Sequence, residues 1–212
     1  MGRAAKVQSF FESAMTDFTE QLLRCNMIFT NKYNIQVFED FLQLYSQKID
    51  TFWPELKDVI IDVYDKDSAQ LKDYIINHDK FEDLSGNIDS LFQCYPNYEY
   101  NNQTYNDIIM RRDLCQKANL TQQEQFALIA HEIGHFVLTY KNIELIGKEE
   151  EFYADDRAAE LGLGKDLASA LQKCMTILPV QNSTDPFLNM LQQQHDSVKN
   201  MKVLLQERID RL

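Results

Sequence analysis

Two histidines four residues apart, with a glutamate directly after the first, stand in the stretch ALIAHEIGHFVLTY (Ala127–Tyr140). The residues around them are apolar enough for the interior of a buried helix, where ionisable groups without partners are rare. On a helix His131 and His135 fall one turn apart on one face, with Glu132 beside them. This H-E-x-x-H spacing lets two imidazole nitrogens each come within about 2.1 Å of one zinc ion. The glutamate then reaches the water on that ion without ligating the metal. Zinc lowers the pKa of such a water to roughly 7, so a carboxylate can take its proton and leave an attacking hydroxide. The competing reading is a pair of core histidines satisfied by ordinary hydrogen bonds. Nothing else in the stretch accounts for polar groups there, so the metal site is the expectation.

Two histidines leave a catalytic zinc one protein ligand short. The extended pattern H-E-x-x-H-x-x-G-x-x-H is excluded, because Leu138 and Lys141 stand where its glycine and third histidine belong. His78 and His195 are distant in sequence. A carboxylate is better placed on KEEEFYADDRAAELG (Lys148–Gly162), one short loop after the first helix. On that helix Glu151, Ala154, Asp155 and Ala158 share a face, and small alanines let two helix axes approach closely. Glu151 is the expected oxygen ligand. Asp155, one turn on, can accept the second ring N–H of a ligating histidine and fix its tautomer. Glu149 and Glu150 read as a solvated helix N-terminus that complements the dipole. Together with Glu144 they are the substitutes for Glu151 if the register slips.

HEIGH followed by EFYADDRAA resembles the gluzincin metallopeptidases of the HtpX and CAAX-prenyl-protease superfamily, whose pattern is HExxH followed by ExxxD in an E-x-x-A-D-x-x-A helix. The resemblance implies zinc ligands His131, His135 and Glu151, Glu132 as general base, and Asp155 as hydrogen-bond partner to a ligating histidine, His131. It covers roughly residues 105–205, with its specific motifs within 131–159. Those families carry a later H-P-S-x-x-x-R-I-x-x-L element. Here HDSVKNMKVL (His195–Leu204) has Asp196 for the proline and Met201 for the arginine, which leaves His195 as a candidate hydrogen-bond donor to an oxyanion. The membrane spans of those families are absent, so membrane-embedded substrates do not transfer. The ImmA/IrrE-type metallopeptidases are a second likeness, sharing HEIGH and an E-x-x-A helix. They usually place Asn after that alanine, where this chain has Asp155.

The elements that must position these groups follow from periodicity. Apolar residues every three or four positions predict helices over about 5–25 and 35–53, the latter ended by Pro54. Lys57–Asp67 reads as containing a short strand, and Ser68–His78 as a helix. Residues 79–105, rich in Asn, Asp, Tyr and Gly, read as a long irregular connection. Tyr105–Leu114 reads as an edge strand. Thr121 and Glu124 form a capping box that opens the H-E-x-x-H helix, expected to run to about Tyr140. Further helices are expected from near Lys148 to the Gly162/Gly164 pair, over 165–177, and from about Asp185 to Leu212. The fold class is α+β, mostly α: a zincin-like core with a small sheet over 105–212, and a mainly helical N-terminal region over 1–104.

Composition narrows the function classes. The chain has 212 residues, 44% hydrophobic and 25% charged, as in a soluble globular protein. A net charge of −12 argues against nucleic acid or an anionic membrane as partner. No apolar run reaches the roughly 20 residues of a spanning helix. The N-terminal residues lack the apolar block of a secretory signal, and Cys25, Cys94, Cys115 and Cys174 are scattered without a CxxC pair. Reduced thiols and a cytoplasmic location are therefore expected. The expected function is a zinc-dependent endopeptidase whose substrate strand lies beside Tyr105–Leu114. The alternative is a non-catalytic, regulatory binding module on the same fold, docking a protein partner through its N-terminal helices.

Overall fold

The computed structural model describes residues 28–30, 35–65, 91–100, 103–177 and 203–212. The helices expected over 5–25 and 68–78, the part of the last helix before 203, and both His78 and His195 lie outside them. In chain order the elements are β1 (Ile28–Thr30), α1 (Gln36–Phe52), β2 (Ile60–Asp65), β3 (Phe92–Tyr100) and β4 (Gln103–Met110). Then come α2 (Arg112–Lys117), α3 (Gln122–Tyr140), α4 (Lys148–Glu160) and α5 (Gly164–Ile177), and a final helix α6 over 203–211. The described residues are thus α+β with helix predominating. Among them no helix is long and apolar enough to cross a membrane.

The strands form one mixed sheet in the order β1-β2-β4-β3. β1 and β4 each run parallel to β2, while β3 runs antiparallel to β4. Parallel neighbours need a long crossover, and α1 supplies it between β1 and β2. Two expectations are corrected here. Tyr105–Leu114 is no edge: its strand β4 lies between β2 and β3, and Arg112–Lys117 is helical. Among the described residues the outer strands are β1 and β3, and β3 lies inside the segment read as irregular connection. Pro96 and Asn97 disguised it. The register of β3 on β4 is irregular between Tyr95 and Tyr98, and Asn97 has φ +52°. A bulge on an edge strand is where proline and a left-handed residue are tolerated. The sheet also runs across the division at residue 104, with β2 and β3 before it and β4 spanning it, and one apolar core includes Phe38, Val63, Phe126 and Leu167.

Helix α3 is the axis of the core. Every residue from Phe126 to Leu138 is buried, as expected of a helix that is apolar nearly all round. Phe126 packs edge-on to Phe41 and Tyr45 of α1, with ring centroids 5.8 and 6.1 Å away. Its N-terminus is fixed by the expected capping box: Thr121 Oγ1 accepts from the Glu124 N–H at 3.3 Å, and Glu124 Oε2 accepts from the Thr121 N–H at 2.6 Å. Glu124 also binds α5, accepting from Ser169 Oγ at 2.6 Å and Lys173 Nζ at 2.7 Å. One side chain therefore ends α3 and anchors α5 to it.

Helix α4 crosses α3 at close range. A Cβ built on Gly134 would meet Ala154 Cα at 2.7 Å, so only a glycine permits this approach. Ala154, Asp155 and Ala158 are buried on the α4 face that meets α3. Gly162, at φ +85°, then reverses the chain into α5.

Candidate metal centre

The two histidines of α3 point their Nε2 atoms at each other, 3.2 Å apart. Glu151 of α4 stands over both, with Oε2 3.5 Å from His131 Nε2 and Oε1 3.7 Å from His135 Nε2. A tetrahedral zinc with bonds near 2.1 Å separates its ligand atoms by about 3.4 Å. The three observed spacings bracket that value. The residues present therefore fit a zinc ion by donor type and by separation, and the groups expected from the sequence converge on one point.

The opposite ring nitrogens are held by carboxylates. Asp155 Oδ1 lies 3.0 Å from His131 Nδ1, the expected pairing, and Glu150 Oε1 lies 3.2 Å from His135 Nδ1. The reading of Glu150 as merely solvated is thereby corrected. It stands one residue before Glu151 on α4 and reaches the far side of the second imidazole. With both Nδ1 atoms donating, both Nε2 atoms carry lone pairs, which repel at 3.2 Å unless a proton or cation lies between them.

The electrostatics agree. Burial and the Arg208 charge press the His131 pKa down, but hydrogen bonds to Asp155 and Glu151 and the charge of Glu132 outweigh them and raise it to about 9. Burial and the charge on His131 lower that of His135. Burial opposes ionisation of Glu151, yet its hydrogen bond to His131 and the charges of His131, Arg208 and His135 hold its pKa at about 2. Asp155 is likewise lowered: burial opposes, and hydrogen bonds from His131 and Arg208 prevail. Without metal, a proton on His131 fills the place of a cation. Among the described residues Glu132, Glu150, Glu151 and Asp155 outnumber the guanidinium beside them, and that negative charge would favour a divalent ion.

That guanidinium belongs to Arg208 on α6, buried at 6% exposure. It donates from Nε and Nη2 to the two oxygens of Asp155 at 2.9 and 2.7 Å, and Nη1 lies 2.6 Å from Glu151 Oε2. A bidentate fork of this kind fixes a carboxylate plane, so Arg208 sets Asp155, which sets His131. Sequence reasoning looked for an arginine at Met201 and found none. The signal was present seven residues later, in the R-I-x-x-L string Arg208–Leu212.

The cluster opens on a cleft of about 450 Å³ whose walls include Phe92, Tyr95, Leu128 and Leu171. Glu132 lines it together with both imidazoles. Across from α3, Cys94 of β3 also faces the cleft. Burial pushes its thiol well above the ordinary range, with the charge of Glu132 and a hydrogen bond to it adding to the rise. The geometry thus brings together His131, Glu132, His135, Glu151 and Asp155, and adds Glu150, Arg208 and Cys94; His195 lies outside the described residues. Compared with family models, curated proteins and solved structures, the chain finds no match.

Proposed function

We propose that the chain is a zinc-dependent endopeptidase with a zincin-like core, taking a peptide or protein as substrate. The single observation that carries this reading is the triangle of His131, His135 and Glu151 donor atoms at 3.2, 3.5 and 3.7 Å, with a carboxylate alongside in an open cleft. A structural zinc site would be closed and usually rich in cysteine, whereas three protein ligands and an open side are the catalytic arrangement. Zinc, when bound by those three residues, supplies the Lewis acid that polarises the scissile carbonyl and acidifies water.

The chain's own residues do the rest. His131 and His135 present Nε2 because Asp155 and Glu150 occupy their Nδ1 atoms. Glu132, adjacent but outside the ligand triangle, takes the proton of the attacking water on its carboxylate and returns it to the leaving nitrogen. Among the described residues β3 is an outer strand of the sheet and lines the cleft through Phe92 and Tyr95, so an extended peptide lying along the cleft would run beside it. The edge foreseen for this role, on Tyr105–Leu114, is already paired on both sides. Phe92 and Leu128 give the cleft apolar walls that can receive side chains of the peptide.

Glu132→Gln tests the reading. It removes the base and leaves the three ligands, so zinc content should be unchanged while cleavage of a peptide library falls by about 10²-fold or more. Cleavage retained by Glu132→Gln would strip Glu132 of this role.

A further inference from the structure

The strand that walls the cleft, β3, carries a break in its ladder. Its pairing with β4 runs as far as Tyr95 with Asp107 and resumes at Tyr98 with Tyr105, so Pro96 and Asn97 stand opposite the single residue Asn106. Two residues against one make a β-bulge, which takes a backbone N–H out of the ladder. A side chain satisfies it here: the Asn97 N–H donates to Asn106 Oδ1 at 2.8 Å. The same oxygen accepts from the Tyr140 hydroxyl at 2.9 Å, and Asn106 Nδ2 donates to the Ile60 carbonyl at 3.2 Å. Asn106, only 9% exposed, thus joins the bulge of β3, the first residue of β2 and the last residue of α3. The bulge itself would need only the bond from Asn97. The second donor comes from the end of the helix that carries His131, Glu132 and His135. Those three residues line the cleft, and so do Tyr95 and Pro96 at the bulge.

We propose that Asn106 and Tyr140 are positioning residues for the substrate: their hydrogen bond ties the Tyr95–Pro96 wall to α3 and so fixes the wall's place relative to the H-E-x-x-H groups. The proposal rests on the reading that a peptide lies along this cleft. Neither Asn106 nor Tyr140 lines the cleft; both act through the wall. A wall that shifts weakens contacts shared by substrate and transition state, which raises KM and leaves kcat in place. The three ligands and Glu132 are untouched.

Tyr140→Phe and Asn106→Ala test this in the full-length, zinc-loaded chain, with the best-cleaved peptide of a mixed library as probe. Tyr140→Phe removes one hydroxyl, and the loss of one hydrogen bond corresponds to a rise in KM of about three- to tenfold. Asn106→Ala also leaves the Asn97 N–H without its acceptor, and KM should rise by about tenfold or more. In both variants kcat and zinc affinity should stay within about twofold of the wild type. Hydrogen exchange at the Asn97 amide should quicken in Tyr140→Phe, a readout of the bulge that needs no catalysis. Unchanged KM in a folded Tyr140→Phe, unchanged exchange, or a loss confined to kcat would overturn the positioning role and spare the peptidase reading. A wild type that cleaves nothing in the library would overturn both.

Discussion

Gly134→Ala probes how α3 and α4 assemble the centre. The added methyl carbon would sit 2.7 Å from Ala154 Cα, 3.0 Å from its carbonyl oxygen and 3.1 Å from its Cβ. Carbon atoms in contact prefer about 3.5–4.0 Å, so the two helices must part by roughly 1 Å. No flexible side chain can absorb the clash, because the nearest atoms are backbone. Overpacking of this kind costs about 1–3 kcal/mol, and replacing a helical glycine by alanine returns about 1 kcal/mol. Stability should therefore fall by only about 2 kcal/mol or less. The proposed zinc site is far less forgiving. Ligand distances are held to about 0.2 Å, and Glu151 lies three residues from Ala154 on the displaced helix. Zinc affinity should drop by about 10²-fold or more. Chelator competition gives the affinity, and urea unfolding of the metal-free protein gives the stability. Wild-type zinc affinity in a folded Gly134→Ala would refute the reasoning that this close approach builds the site.

Asp155→Asn keeps the size of the side chain but removes the charge that Arg208 grips and that fixes His131. Zinc affinity should fall by about 10–100-fold in a competition titration, with the fold retained by circular dichroism. Glu124 offers a test of stability against pH. Burial opposes its ionisation, but hydrogen bonds from Lys173, Ser169 and Thr121 hold its pKa at about 2. Because the folded value lies below the unfolded one of about 4.3, its stabilisation is complete above the unfolded value and is lost as pH falls toward the folded one. Glu124→Gln should flatten the fall in unfolding free energy between about pH 5 and pH 2, by at most roughly 3 kcal/mol; parallel curves for both proteins would contradict the assignment.

Local chemistry made part of this molecule legible from its residues. Thr121 and Glu124 announce a helix start because a cap needs nothing beyond four consecutive residues, and α3 begins and ends as expected. The shared face of Glu151, Ala154, Asp155 and Ala158 follows from helical period alone. What depends on distant partners was not legible. The role of Gly134 has no local signal, since the close crossing it permits exists only once α4 is in place. β3 was hidden because Pro96 and Asn97 signal a turn in isolation, while an edge strand accommodates both. Glu150 looked like a solvated terminus, for no periodicity shows that His135 waits across the gap. Arg208 carried a recognisable string, but at a spacing from His195 that the pattern did not lead one to search. Cys94 had no signal at all: its place beside Glu132 is a product of the sheet.

The most direct test is a zinc titration, by competition with a chromophoric chelator, of the wild type against Glu151→Ala. A centre shared between α3 and α4 requires one zinc per wild-type chain and an affinity lower by about 10²-fold or more when Glu151 is lost, since two imidazoles alone hold the ion poorly. Equal stoichiometry and equal affinity in the two proteins would contradict it.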